Sequence, residues 1–337
     1  MTRFEKIPRV HTDMREKMME KKPLIIITGP TAVGKTELSI LLAKKIGGEI
    51  ISADSMQVYK DMDIGTAKIM PEEMQGVKHY LIDELEPDEE FNVTVFKQKC
   101  DKYIEEIYSK GKIPIIVGGT GFYIQAVLYD IDFTKTDAAD SYRKELQRFA
   151  DENGNIALHD RLKEVDEKSA AHIHPNNVKR VIRALEYFEQ TGEKISEHND
   201  EQQQNESPFN FRYYVLRLPR EILYERINKR VDIMREKGLT EEVKRLMDMG
   251  CTKDMVSKQG IGYRQIIDAL EGCSIDEAYD KIKLDTRHFA KRQFTWFNRE
   301  KTVTWIDKDK FKDENELLEY CCSDLKSIKI ERWRIKA

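Results

Sequence analysis

Short apolar runs rich in β-branched residues punctuate the chain: "LIIIT" (24–28), "GEIISA" (48–53), "HYLID" (79–83) and "IPIIVGG" (113–119), then "YYVLRL" (213–218) and "VTWID" (303–307). Unbroken runs of this kind fit strands covered on both faces, and the longer periodic segments between them read as helices. The pattern predicts an α/β fold, a parallel sheet flanked by helices. After residue 130 the alternation stops, and "SYRKELQRFADENG", "ALHDRLKEVDEKSAAHI" and "VKRVIRALEYFEQTG" predict an all-helical insertion. It closes on "SEHNDEQQQNESP" (196–208), read as a polar linker without the means to pack a core. The expected division is an N-terminal extension (1–22), a first part of the core (23–130), the insertion (131–208), and a second part of the core with C-terminal helices (209–337).

The first strand runs straight into "GPTAVGKT", which matches G-x-x-x-x-G-K-[ST] at Gly29, Gly34, Lys35 and Thr36 and is followed by the helical stretch "TELSILLAKKIGG". Strand, glycine turn and helix together predict a P-loop NTPase-like core. Backbone N–H groups converge there on phosphate oxygens at a helix N-terminus, Lys35 neutralises the terminal phosphate, and the Thr36 hydroxyl is offered to Mg²⁺. The usual hydrolytic carboxylate is missing after "KIPIIV", where "GGTGFYI" follows instead. An acid does follow the second strand: Asp54, at the carboxyl end of a parallel strand and so facing the same crevice. Asp54 and Thr120 also suit helix N-caps, and that reading stands beside the functional one.

Composition narrows the class. Charged residues make up 35% and hydrophobic ones 40% of 337 residues, and no apolar run approaches the roughly 18 residues of a membrane helix. The first 22 residues lack a secretory pattern, which predicts a cytoplasmic protein. Five cysteines, two of them adjacent (Cys321 and Cys322), have neither metal-ligand nor disulfide spacing, and His172 and His174 lack companion ligands. A net charge of −4 argues against nonspecific coating of nucleic acid but leaves room for a local basic patch.

Seven strings in order, "GPTAVGKT", "ISADSMQVYKDMDIGTAK", "VGGTGFYIQAVL", "HPNNVKRVIRALE", "RINKRVDIM", "GIGYRQ" and "AKRQFTWF", together resemble the tRNA dimethylallyltransferase (tRNA isopentenyltransferase) family over residues 23 to 307. The resemblance implies transfer of a dimethylallyl group from dimethylallyl diphosphate to N6 of the adenosine 3′ of the anticodon, in tRNAs reading codons that start with U. It implies that Gly29, Pro30, Thr31, Ala32, Val33, Gly34, Lys35 and Thr36 hold a diphosphate with Mg²⁺. Arg230 joins them, with Arg226 one turn earlier as the alternative. Asp54 becomes the general base and Thr120 a residue that contacts the adenosine or aids transfer. The tail "IERWRIKA" lacks the zinc ligands of some animal and fungal relatives, which favours the bacterial type.

A base within a folded anticodon loop must be extruded before a carboxylate in a crevice can serve it, so a broad RNA surface is expected. The resemblance assigns tRNA contact to Asp54, Ser55, Met56, Gln57 and Thr120, to Lys179, Arg180 and Arg183 on the insertion, and to Gly262, Tyr263, Arg264 and Gln265. Lys179 departs from relatives that carry Gln there. Arg143 is a further candidate, and the insertion is expected to embrace the anticodon stem. "KIKLDTRHFAKRQFTWFNREK" (281–301) interleaves cations, including Lys291 and Arg292, with Phe289, Phe294, Trp296 and Phe297. Such a stretch suits RNA stacking, although Phe289 and Phe297 equally suit a core. Two other functions explain the phosphate loop: an ATP-dependent small-molecule kinase, with Asp54 serving its acceptor, and a noncatalytic nucleotide switch that recruits RNA. A monomer is expected, since no heptad pattern is visible.

Overall fold

A computed structural model of the chain describes residues 21–133, 140–202, 205–252, 255 and 260–327. Most of the expected N-terminal extension, the start of "SKQGIGYRQ" and the tail "IERWRIKA" lie outside the described residues. The chain folds as two compact units, residues 129–207 and the remainder.

The larger unit begins with β1 (Pro23–Thr28), the phosphate loop and α1 (Lys35–Ile46), followed by β2 (Gly48–Ala53), β3 (His79–Tyr80), α2 (Val93–Ser109), β4 (Ile113–Gly118) and α3 (Gly121–Leu128). The second unit holds α4 (Asp140–Val165), α5 (Glu167–His172), α6 (Val178–Thr191) and α7 (Ile195–Gln202). The larger unit resumes with β5 (Asn210–Arg217), α8 (Arg220–Glu236), α9 (Leu239–Asp248), α10 (Tyr263–Leu270), α11 (Ile275–Phe297), β6 (Thr304–Asp307) and α12 (Glu314–Ser327).

The six strands form one sheet in the order β3-β2-β4-β1-β5-β6, every pair parallel. β1 and β2 are buried along their whole length, as unbroken apolar runs demand when helices cover both faces. One core cluster joins Ile25, Ile27 and Ile115 of the sheet to Leu38 and Leu42 of α1 and to Leu317 and Cys321 of α12. All five cysteines are unbridged, and Cys100, Cys321 and Cys322 are buried.

Two expectations need correction. The strand expected over 79–83 stops after Tyr80, because Leu81 (φ 60°) and Asp83 (φ 54°) take left-handed backbone and the Leu81 N–H donates to Glu84 Oε1 (2.7 Å). The polar stretch from Ser196 is not all linker. Its first part is α7, anchored because Ile195 packs on the helical unit's core and the buried Asp166 accepts the Ser196 N–H (2.9 Å) while also capping α5. In that unit α4 breaks at Gly154 (φ 86°), and Leu146, Leu158, Leu162, Val181 and Leu185 fill its core.

Candidate active site

The order β2-β4-β1 brings three loops to one edge of the sheet. Ala53 and Thr28 both pair with Gly118, so the residues that follow, Asp54, Gly119–Thr120 and the phosphate loop, leave side by side. The Thr120 N–H donates to the Ala53 carbonyl (3.3 Å) and the Thr28 hydroxyl to the Gly118 carbonyl (2.7 Å). A Cβ on Gly118 would stand 2.2 Å from the Ala53 carbonyl oxygen, so glycine is what lets β2 and β4 approach this closely.

The phosphate loop carries left-handed backbone at Ala32 (φ 64°) and Gly34 (φ 96°), the latter directly before α1. Val33 is fully buried, so its side chain belongs to the core and only its backbone remains for a ligand. The Lys35 ammonium donates to the carbonyls of Gly29 (3.0 Å) and Pro30 (2.9 Å). Burial, aided by the nearby Arg230 guanidinium, pulls the Lys35 pKa down to about 7, with Asp54 opposing. From α8, Arg230 donates to the Thr31 hydroxyl (3.3 Å). Burial lowers its pKa too, again against the pull of Asp54. Arg226 flanks the far end of the loop, 3.8 Å from where a Gly34 Cβ would sit, and the Lys308 ammonium lies 2.5 Å from that point. Lys308, which sequence reading passed over, is paired with Glu314.

The two carboxylate oxygens of Asp54 have different surroundings. Its Oδ1 accepts the N–H groups of Met56 (2.9 Å) and Gln57 (3.3 Å), which fixes the turn after β2. Its Oδ2 has no hydrogen-bond partner among the described residues. Burial raises the Asp54 pKa, and the two N–H donors, Lys35 and Arg230 act against that rise. Thr120 occupies the cap position of α3, with its carbonyl accepting from Tyr123 (3.0 Å) and Ile124 (3.2 Å).

Asp54, Thr120, Thr31 and Arg230 line one cavity of ≈ 430 Å³, and Phe289 and Arg292 of α11 form part of its wall. Another part of the lining, Gly65 to Ala67, is held by a residue absent from the sequence reading. Buried Glu242 of α9 accepts the N–H groups of Asp63 (3.0 Å), Ile64 (2.8 Å) and Gly65 (3.1 Å) and the Tyr263 hydroxyl (2.8 Å). Glu242→Gln puts an NH₂ against two of these donors. Its expected cost is about 1–3 kcal/mol of unfolding free energy, read from denaturant titrations.

The IPP transferase family matches residues 57–300, more than half of the chain. The chain belongs to the IPP transferase family. Similar relatives are the tRNA dimethylallyltransferases of Lachnoclostridium phytofermentans (61% identical over 298 residues, covering 88% of this chain and 95% of the relative) and Acetivibrio thermocellus (52% over 296 residues, 88% and 95%). Among solved structures, the full-length tRNA isopentenylpyrophosphate transferase of Bacillus halodurans is 45% identical, covers 92% of this chain and 98% of its own, and superposes with a TM-score of 0.68. A eukaryotic dimethylallyltransferase captured acting on tRNA is 32% identical, with a TM-score of 0.75 over 85% of this chain and 74% of its own.

In this IPP transferase family member the remaining RNA-contact candidates divide by environment. Ser55 and Met56 line the cavity, whereas the Gln57 amide is turned inward, donating to the carbonyls of Thr66 and Ala67 (3.3 Å each). Gln265 departs from expectation: it is 2% exposed, its oxygen accepts the Gly262 N–H (2.8 Å) and its nitrogen donates to Asp285 (2.7 Å), so it braces the turn into α10 and is not free for RNA. Tyr263 is likewise buried, with its hydroxyl on Glu242 and its ring against Gly65. Arg264 stays exposed and reaches Asp285 (3.3 Å). Lys291 and Arg292 are exposed, and Arg292 lies over the Phe289 ring (5.7 Å). Phe297 is core, while Phe289 is 36% exposed at the cavity.

In the helical unit, Lys179 and Arg180 are exposed on α6 and Arg183 is half-buried. Arg143 makes a two-pronged pair with buried Glu186 (2.8 and 3.0 Å), a structural task not foreseen from the sequence. Among the described residues no helix is long and apolar enough to cross a membrane.

Proposed function

We propose that the chain transfers a dimethylallyl group from dimethylallyl diphosphate to N6 of the adenosine 3′ of the anticodon, in tRNAs whose codons start with U. The observation that carries this reading is the shared cavity: a carboxylate with one unengaged oxygen, Thr120, Thr31 of the phosphate loop and the Arg230 cation line the same space, with Phe289 and Arg292 beside them. The N6 lone pair attacks C1 of the allylic group, the C1–O bond breaks, and the bonding pair leaves with diphosphate. Because that lone pair is delocalised into the purine, removal of the N6 proton during attack helps, and Asp54 Oδ2 accepts it. Lys35, Arg230 and the backbone N–H groups of the loop stabilise charge as it gathers on the leaving diphosphate.

The donor set fits Mg²⁺. Thr36 would supply a hydroxyl, while no group of three or more His, Cys, Asp or Glu among the described residues forms a dedicated cage. Mg²⁺ commonly completes its shell with phosphate oxygens and water, so one or two protein ligands suffice. When bound, it supplies further neutralisation of the diphosphate. Lys179, Arg180, Arg183, Lys291 and Arg292 serve in this reading as contacts to the RNA backbone, whose phosphates favour exposed cations.

The deciding experiment incubates the protein with unmodified tRNA and either labelled dimethylallyl diphosphate or labelled ATP. Label entering RNA from the allylic donor alone is the expected result. Phosphoryl transfer from ATP to a small acceptor favours the kinase instead, and binding without transfer favours the switch. The pH profile has a defined shape as well. Protonation of Asp54, whose pKa lies above its ordinary value, removes the base as pH falls. Deprotonation of Lys35 near pH 7 removes a diphosphate-binding charge from the empty enzyme as pH rises. Initial rates at low donor concentration should therefore give a kcat/KM that rises with pH, peaks, and declines above about pH 7.

A further inference from the structure

Beyond Thr28 and Gly118 the sheet ladder ends, so something else must fix the phosphate loop against the Thr120 loop. Gln293, 6% exposed on α11, bridges them. Its Oε1 accepts the Thr31 N–H (3.0 Å) and its Nε2 donates to the Gly119 carbonyl (3.0 Å). Both glycines around Thr120 are closed off by this helix: a Cβ on Gly119 would stand 2.2 Å from the Gln293 nitrogen, and one on Gly121 would stand 2.2 Å from the Trp296 ring. Thr31 is thereby held at two points, by Gln293 at its N–H and by Arg230 at its hydroxyl.

We infer that Gln293 is a positioning residue which sets the distance between the diphosphate-holding loop and Thr120, so that α11 keeps leaving group and acceptor in register. This rests on the prenyl-transfer reading above. Gln293 does its work through two backbone groups and not by chemistry of its own. A neutral amide suits the task because it presents an acceptor oxygen and a donor nitrogen from a single flat group without needing to take up a proton. An ångström of slack between the loops is enough to cost about 10²-fold in rate.

Two variants test it. Gln293→Leu keeps the volume and removes both bonds; kcat for transfer to tRNA should fall about 10²-fold, and inorganic diphosphate should bind about tenfold more weakly. Gln293→Glu keeps the acceptor for the Thr31 N–H but, when ionised, sets an oxygen against the Gly119 carbonyl. Protonation restores a donor there, so the ratio of its kcat to that of the wild type should recover as pH falls, which a merely structural role does not produce. Gln293→Leu with wild-type kcat and wild-type diphosphate affinity overturns the inference, and so does a Gln293→Glu ratio that stays flat with pH. If the wild type itself fails to transfer the allylic group, the prenyl-transfer reading falls. The diphosphate affinities of the folded variants, checked by circular dichroism, then still decide whether Gln293 braces the loop.

Discussion

Asp54→Asn is expected to lower kcat by about 10³-fold while leaving KM for both substrates close to that of the wild type. Asparagine retains an oxygen for the Met56 and Gln57 N–H groups, so the turn after β2 persists. What disappears is the lone pair at the Oδ2 position, and with it the acceptor for the N6 proton. Since burial raises the Asp54 pKa, folding places an ionisable group where its charged form is disfavoured. The neutral amide carries no such penalty, and the thermal midpoint of Asp54→Asn should equal or exceed that of the wild type. The low-pH decline in kcat/KM should vanish as well. Transfer by Asp54→Asn at the wild-type rate removes the base assignment, and retained activity with a collapsed melting temperature assigns Asp54 to the turn alone.

Lys35→Met is expected to reduce kcat/KM for the allylic donor by about 10²–10³-fold, the scale on which loss of one charge-stabilising donor acts in a water-poor site. Lys35 is held by two loop carbonyls, and burial first, then the Arg230 charge, disfavours its ammonium form there. A dianionic or trianionic ligand reverses that balance, so diphosphate binding should draw a proton onto Lys35 whenever the pH exceeds about 7. Calorimetry of inorganic diphosphate binding in buffers of differing ionisation enthalpy measures this uptake. The uptake should be present in the wild type and absent in Lys35→Met. Affinity of the variant for tRNA in the absence of donor should be unchanged, because Lys35 bonds within the phosphate loop.

The sheet was readable because its strands are buried on both faces and so appear as uninterrupted apolar runs, and the phosphate loop because its glycines and lysine keep a fixed spacing between strand and helix. Asp54 and Thr120 were reachable by the same logic, since residues after parallel strands share an edge. The residues that hold these groups in place were harder to see. Glu242 follows Leu239 at three positions and precedes Leu246 at four, which puts an acid on the buried face of α9, a signal present in the sequence but resembling a charged surface helix. Its partners at residues 63–65 lie nearly two hundred residues away, and periodicity carries no information over that distance. Gln293 hid among the cations of α11, where an amide looks like one more polar residue, and only the fold reveals that its two ends meet different loops. The early end of β3 was hidden for the opposite reason: "HYLID" has strand composition, but left-handed backbone at Leu81 overrides propensity.

The contact between Gly118 and the Ala53 carbonyl has one further outcome. The gap separating Asp54 from Thr120 is set by main chain touching main chain, with no side chain in between to be enlarged or trimmed. Laboratory selection for heat tolerance or altered donor size can therefore exchange much of the surrounding interior without widening or narrowing that gap, and adaptation of the pocket has to come from the helices facing it.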